Sequence, residues 1–370
     1  MIQVRLGIVG MGNMGSVHAR QMLEGRVPRM QLAAVCDSNP EKLAPFAPTR
    51  GFTDFPALLA SGAVDAVLIA TPHFAHTSMG MAALKAGLHV LVEKPISVHK
   101  ADAERLLAAH QNPGQVFAAM FNQRTDPRYQ FLRRLIQAGE LGPIRRINWT
   151  ITDWFRSQAY YSSGGWRASW AGEGGGVLLN QSPHQLDLWW WLFGQPAKVR
   201  AFCQFGRFHK VEVEDSVTAF LEYADGAQGV FITTTGEAPG TNRLEVAADR
   251  GKIIIEGLNL KWTRTDVSVA EWCATHPKGF EAPPVSQRDT AFENVGRQHV
   301  GILQNFVDAI LDGAPLIAPA AEGIHSVELA NAMLYSTFIN NTVALPLDAS
   351  NYAEALNEKI AHSSFKPRPS

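Results

Sequence analysis

The sequence predicts an α/β protein: an N-terminal doubly wound parallel sheet, then a second α/β domain built on an open, mostly antiparallel sheet. Three observations carry this prediction. Short continuous apolar runs alternate with helical patterns through the first third of the chain. A glycine-rich turn joins the first apolar run to the first helical pattern. After about Asn122 the pattern changes to strand-like segments punctuated by hairpin signals at Asp225-Gly226 and Arg250-Gly251. A length of 370 residues fits two domains, taken as 1–123 and 124–370.

In the first domain, strands are expected over 4–9, 32–36, 66–70, 88–92 and 116–120. Their unbroken apolar character suits strands covered on both faces. Helices are expected over 14–23, 40–46, 55–60, 75–86 and 100–110, and alternation of this kind implies right-handed crossovers. In the second domain a helix over 127–138 precedes strands over 144–154, 198–205, 216–223 and 229–235. A helix over 181–193 is inserted early, and two late helices, 299–311 and 321–338, close the chain. The proline-rich 281–285 reads as a surface loop or a crossing arm.

Composition excludes several functions. Hydrophobic residues make up 46% and charged residues 18%, enough apolar material for packed cores. The net charge of -1 gives no basic field for nucleic acid or an anionic membrane. Cys36, Cys203 and Cys273 are too few and too scattered for a disulfide framework or a metal site. The opening MIQVRLGIVG enters a strand at once, so no export signal is expected, and no uncharged run is long enough to span a bilayer. A cytoplasmic setting is the expectation.

The glycine-rich turn is Gly10-Met11-Gly12-Asn13-Met14-Gly15. Gly10 permits the tight turn, Gly12 lets backbone approach a pyrophosphate, and Gly15 lets the helix pack close to the sheet. The helix beginning at Asn13 and Met14 offers unpaired N–H groups to the phosphates. This is the Rossmann dinucleotide signature in its required strand–turn–helix context. Asp37 ends the second strand, where a carboxylate accepts hydrogen bonds from both adenosine ribose hydroxyls and repels a 2′-phosphate. Cys36 to Asn39 contains no arginine to neutralise such a phosphate, so NAD is expected over NADP. Asp37, Ser38 and Asn39 also suit the cap of a following helix.

Other candidates stand at the carboxyl ends of later strands, where open α/β sheets bind ligands. Thr71-Pro72 and His76 follow the strand expected over 66–70, and Glu93-Lys94-Pro95 follows the one over 88–92. Partial burial lowers a lysine's pKa, so Lys94 is placed to exchange protons near neutrality. Asn122 and Arg124 follow the strand expected over 116–120 and can reach the cleft. In the second domain, Gly174-Gly175-Gly176 precedes Asn180, Gln181, His184 and Asp187. The spacings of four and three put Asn180, His184 and Asp187 on one helix face. A purely structural role for Asp187, and a core role for His184, fit the same residues. Trp154, Arg156, Tyr160, Trp166 and Arg167 form an aromatic and basic stretch suited to a carbohydrate ring, with its apolar C–H faces and polar edge. At least two of Trp189, Trp190 and Trp191 are expected in the core.

Taken together, these motifs resemble the Gfo/Idh/MocA oxidoreductases, the glucose–fructose oxidoreductase and inositol dehydrogenase group, over essentially the whole chain. The resemblance implies NAD as cofactor, a sugar-like polyol as substrate, and a homodimer or homotetramer formed through the open sheet. It places the lysine of the EKP motif at Lys94 and the catalytic histidine at His184. The aspartate four residues before that histidine is Asn180 here, and asparagine cannot carry a proton. Lys94, His184 and Asn180 are thus the expected catalytic set. The expected cofactor contacts are Gly10, Gly12, Asn13, Met14, Asp37, Ser38, Thr71, Pro72, His76, Glu93, Lys94, Asn122, Trp166 and Arg167. The expected substrate contacts are Lys94, Arg124, Trp154, Arg156, Tyr160, Asn180, Gln181 and His184; no metal site is expected. The expected activity is hydride transfer between NAD and a secondary alcohol of a sugar, glycoside or cyclitol. Two alternatives remain open: glycoside cleavage by transient oxidation with recycled NAD, and a non-catalytic sensor of NAD and sugar.

Overall fold

The structure is a computed structural model that describes residues 2–364. The first sheet has six parallel strands in the order β3-β2-β1-β4-β5-β6. These are β1 (Val4–Val9), β2 (Met30–Cys36), β3 (Arg50–Phe52), β4 (Ala66–Ile69), β5 (His89–Val92) and β6 (Phe117–Ala119). Every residue of β4 is buried, as its unbroken apolar run requires. Helices α1 (Asn13–Leu23), α2 (Phe55–Ala60), α3 (His73–Lys85) and α4 (Lys100–Ala108) make the crossovers. The strand order reverses between β1 and β4, which opens a crevice at their carboxyl ends. The expected helix over 40–46 is instead two 3₁₀ turns, Pro40–Lys42 and Ala44–Phe46. Pro45 has no N–H to give an α-helical ladder there.

The second sheet has nine strands in the order β14-β13-β12-β11-β7-β10-β9-β8-β15. They are β7 (Ile144–Ile151), β8 (Lys198–Phe205), β9 (Glu214–Glu222), β10 (Gln228–Thr234), β11 (Asn242–Ala248), β12 (Gly251–Glu256), β13 (Asn259–Thr265), β14 (Val285–Ala291) and β15 (Val343–Ala344). Pairing is antiparallel except between β7 and β10. Alternation sets the faces. On β9, Val217, Ala219 and Leu221 are buried while Thr218 points outward. The inner face packs on α5 (Pro127–Gln137), α7 (Val177–Asn180), α8 (Pro183–Phe193) and α11 (Gly323–Phe338); the short helices α6 (Gln158–Ser162) and α9 (Val269–Thr275) lie in the connections. β14 is an edge strand exposed along most of its length, so its sequence carries no apolar alternation. The chain also has a third late helix, α12 (Ala349–Ala361), beyond the two expected; Asp348 caps it through Ser350 and Asn351 N–H. Of the three tryptophans on α8, Trp189 is fully buried. Trp190 and Trp191 are half-buried against the same core.

After the second sheet the chain returns to the first. In helix α10 (Gln298–Asp312), Val300, Ile302, Leu303, Phe306 and Val307 join the core that surrounds β1 to β6. This return brings His299 against α1, where its ring meets that of His18 at 5.4 Å.

Candidate active site

A cavity of about 460 Å³ lies at the reversal point of the first sheet. Its walls include Gly10, Gly12, Asn13, Met14, Asp37, Thr71, Pro72, His76, Glu93 and Lys94 from the first domain. Trp166, Arg167 and Asn180 close it from the second. Sequence reasoning passed over other wall residues: Lys42, Ala70, His73, Ser163 and Gly164.

The three glycines hold their turn for three separate reasons. Gly10 has φ +91, and a Cβ there would stand 2.6 Å from the Ala70 carbonyl oxygen. A Cβ on Gly15 would collide with the Gly10 carbonyl, so the helix can approach the sheet only as glycine. A Cβ on Gly12 would meet nothing within 4 Å, because it would project into open space where a phosphate can approach. Thr71 Oγ1 is buried without a hydrogen-bond partner in the same wall. These features fit a dinucleotide. Gly12 to Met14 would face the pyrophosphate and Asp37 the adenosine ribose.

Asp37 is itself held in place. Oδ2 accepts from Met11 N–H at 2.8 Å and Oδ1 from Asn39 N–H at 3.0 Å. Lys42 Nζ lies 3.3 Å from Oδ2. The cation that Cys36 to Asn39 lacks therefore arrives from the next turn. Ser38 is exposed and outside the cavity wall, while Asn39 caps the 3₁₀ turn.

The loops bearing Thr71 and Lys94 are tied together by His76. Its ring nitrogens lie 2.8 Å from the carbonyl oxygens of Thr71 and Pro95. Burial holds this imidazole below its ordinary pKa, and a neutral ring donates to one carbonyl at a time. Glu93, in the cavity wall, has its carboxylate committed to neighbouring groups. Its Oε1 lies 2.7 Å from His18 Nε2, and Oε2 accepts from Lys94 N–H. Burial alone would raise its pKa, but His18 and the surrounding cationic groups hold it down at about 2.

Lys94 is half-buried in the cavity wall, and its Nζ donates to the backbone carbonyl of Asn180 at 2.7 Å. Burial lowers its pKa, and Arg167 and Arg156 push the same way, against Glu93 and Glu173. His184 is buried, and its Nδ1 has no hydrogen-bond partner. Burial, then the nearby Lys94, holds it well below the ordinary imidazole value. A neutral imidazole with a free nitrogen can accept or donate a hydrogen bond to a ligand.

The helix expected over 181–193 is present as α8, Pro183–Phe193, but it does not run back through Asn180. Helix α7 ends at Asn180, Gln181 and Ser182 make a turn, and α8 starts at Pro183. Proline disfavours helical backbone at the preceding residue. Asn180 and His184 thus lie on separate helices, not one face. The N-terminus of α7 is capped by buried Glu214, which accepts from Gly176 and Leu178 N–H. The Asn180 amide donates to Glu173, a buried carboxylate immediately before the triple glycine.

Besides Ser38, the expected contacts Trp154, Arg156, Tyr160, Gln181 and His184 stand outside the cavity wall, and so do Arg124 and Asn122. Arg124 is fully buried and donates to Asp187 through Nε at 2.8 Å and NH2 at 2.6 Å; NH1 serves Ile317 O and Glu322. Every face of its guanidinium is spent on structure, which also fixes Asp187 as a structural residue. Asn122 is buried outside the cavity wall and donates to Gln298. The aromatic stretch lies beside the cavity. Arg156 stacks over Trp154 and Tyr160, and Arg167 over Tyr160 and Trp166. Tyr160 OH accepts from Arg167 at 2.8 Å and from Gln181 at 3.2 Å. Among the described residues, no group of three or more His, Cys, Asp or Glu is arranged to hold a metal, and no helix is long and apolar enough to cross a membrane.

Comparison with known proteins agrees with this geometry. Residues 4–121 match the oxidoreductase family, NAD-binding Rossmann fold, of the Gfo/Idh/MocA group. Residues 129–254 match the Gfo/Idh/MocA C-terminal domain. The inositol 2-dehydrogenase of Rhizobium meliloti is 25% identical over 343 residues, 90% of this chain and 96% of that protein. The UDP-N-acetylglucosamine 3-dehydrogenase of Acidithiobacillus ferrooxidans is 35% identical over 237 residues, 61% of this chain and 65% of that protein. Among solved structures, the WlbA dehydrogenase from Bordetella pertussis in complex with NADH and UDP-GlcNAcA superposes with a TM-score of 0.77 at 26% identity. That match covers 94% of this chain and all of the other. The chain belongs to the Gfo/Idh/MocA oxidoreductase family, and its first domain is the family's NAD-binding domain.

Proposed function

We propose that this oxidoreductase moves a hydride between NAD and a secondary alcohol on a sugar, glycoside or cyclitol ring, with Lys94 as the proton-transfer base. One observation carries the reading most directly. Lys94 is a half-buried cation at the junction of the two domains, in the wall of the cavity that contains the glycine turn and Asp37. The relatives' names, an inositol dehydrogenase and a UDP-N-acetylglucosamine dehydrogenase, point to the same substrate class.

When bound, NAD supplies the hydride acceptor. The chain supplies position and proton transfer. A lysine with a lowered pKa takes the hydroxyl proton as the free amine and returns it as the ammonium in the reverse direction. His184, neutral with Nδ1 free, hydrogen-bonds the reacting oxygen. Asn180 holds Lys94 through its backbone carbonyl. Trp166, Tyr160 and Arg167 offer a ring-binding wall, and Arg156, Trp154 and Gln181 extend it toward the mouth. A homodimer or homotetramer is part of this reading. Phe202 and Phe208 are more than half exposed on and beside the second sheet, and Phe220, Val230 and Ile232 are half-buried on its outer face.

The test is absorbance at the NADH band with NAD and a panel of inositols, aldoses, glycosides and nucleotide sugars. Reduction by at least one ring alcohol, with none by lactate or malate, supports the reading. Activity confined to hydroxy acids overturns it. Glycoside cleavage without net NADH assigns the cavity to transient oxidation instead. Light scattering at the 40.4 kDa monomer mass overturns the oligomer.

A further inference from the structure

Position 180 holds an amide where a proton-carrying side chain would be expected beside the base, yet a carboxylate is present a short distance away. Glu173 is buried, and its Oε1 accepts from the Asn180 amide, while Oε2 accepts from Ala168 N–H at 2.6 Å. Arg167 NH1 approaches Oε1 at 3.9 Å. The turn carrying Glu173 is pinned on both sides. A Cβ on Gly172 would collide with the Trp166 carbonyl, and one on Gly174 with Val98. Glu173 N–H donates to Ser169 O at 2.9 Å, and its own carbonyl lies 3.2 Å from His73 Nδ1. Two hydrogen bonds leave a carboxylate half-satisfied, an expensive state for an interior charge without a further role.

We propose that Glu173 is the carboxylate partner of Lys94: a positioning residue that grips the Asn180 amide, keeps the Asn180 carbonyl on Lys94 Nζ, and sets how readily Lys94 holds its proton. The inference rests on the reading of Lys94 as the base. Glu173 supplies from the preceding turn what Asn180 does not. Desolvation raises its carboxyl to about 7, against the hydrogen bonds from Ala168 and Asn180 and the charges of Arg167 and Lys94. Glu173 therefore changes protonation across the neutral range. Its ionised form favours the Lys94 ammonium and its neutral form favours the free amine. The other titratable groups facing this pair are Glu93, Arg156, Arg167, His73, His76, His184 and His299 toward Lys94, and Glu214, Tyr161, Arg167 and His73 toward Glu173. Glu93 is committed to His18 and Glu214 to the α7 N-terminus, so neither can replace Glu173.

The test needs no sugar. Trace acetic anhydride labels lysines in proportion to their free amine, and peptide mass spectrometry reads Lys94 alone as a function of pH in the NAD-bound full chain. Glu173→Gln is expected to move the Lys94 labelling curve to lower pH, raising label on the rising limb on the order of tenfold. Glu173→Asp, which withdraws the carboxylate slightly, moves it the same way by less. Glu173→Gln combined with Asn180→Asp returns it toward wild type, and Asn180→Asp alone moves it to higher pH. Melting temperature is followed on each variant. An unchanged Lys94 curve in Glu173→Gln, with or without lower melting temperature, overturns the proposal. If that variant does not fold, an unchanged curve in Glu173→Asp overturns it equally. A failed sugar panel with a shifted curve removes the dehydrogenase reading and leaves the coupling standing.

Discussion

Lys94 and Arg124 are cations near the junction of the two sheets, the first half-buried and the second fully buried, and their surroundings differ sharply. Arg124 donates to Asp187, Glu322 and the Ile317 carbonyl. Burial alone would lower its pKa, but Asp187 and Glu322 raise it. Lys94 has one carbonyl, and burial wins, so its pKa falls. A buried charge with every donor paired fastens elements together. A partly buried charge left short of partners is reactive, because a ligand or a proton can still improve its surroundings. The same contrast separates Asp187, bidentate to Arg124, from Glu173, which is linked to Lys94 through Asn180.

Four measurements sharpen or break this contrast. The largest effect belongs to the under-paired cation. Lys94→Ala should lower turnover by about 10² to 10⁴ with NAD affinity nearly intact, and His184→Ala should also lower turnover. Near-wild-type turnover in both variants breaks the comparison at its functional end. For the fully paired cation, the cost appears in stability instead. Asp187→Ala leaves the Nε and one terminal nitrogen of buried Arg124 without an acceptor and should destabilise the protein by about 3 kcal/mol, read as a lower urea midpoint. A loss below about 1 kcal/mol would show that the pair is not the fastener its geometry implies.

A smaller effect concerns Glu214, whose carboxyl burial raises to about 7. A carboxyl with a folded pKa above its unfolded one binds its proton more tightly when folded. Its stabilising contribution is complete below about pH 4.5 and is lost as pH rises through about 7. Glu214→Gln should flatten the fall in melting temperature across that window, worth roughly 3 kcal/mol from the size of the shift. Glu93 acts in the opposite sense. Its contribution is present above the unfolded value and is lost as pH falls toward about 2. A melting curve as steep in Glu214→Gln as in wild type would place the titration elsewhere. The smallest effect lies at Asp37. Asp37→Ser should weaken NAD by about tenfold, the scale of one charge-assisted hydrogen bond. It should also narrow the preference over NADP, since Lys42 is then free to meet a 2′-phosphate. Fluorescence titration with both cofactors checks this, and an unchanged ratio would remove Asp37 from the ribose site.

Local chemistry by itself determined the first sheet apart from its short edge strand β3, the glycine turn, and the cavity wall at Asp37, Thr71 and Lys94. Each depends on a strand end, a φ value or a short spacing that neighbouring residues dictate. Much of the second sheet was legible for the same reason, through alternation and Asp-Gly turns. What only the tertiary structure decided was how polar groups pair across long stretches of chain. Nothing near Arg124 in sequence says that Asp187 and Glu322 will consume its donors. Nothing near Glu93 says that His18 will hold it. Lys42 reached Asp37 because two proline-bearing turns replaced the expected helix. Pro183 was a visible warning that α7 and α8 would separate. Glu173 stood one residue outside the triple-glycine motif, and its link to Asn180 exists only once the turn is pinned against Trp166 and Val98. Backbone conformation is set over a few residues, whereas the solvation of a buried charge is set by whatever packing brings alongside it.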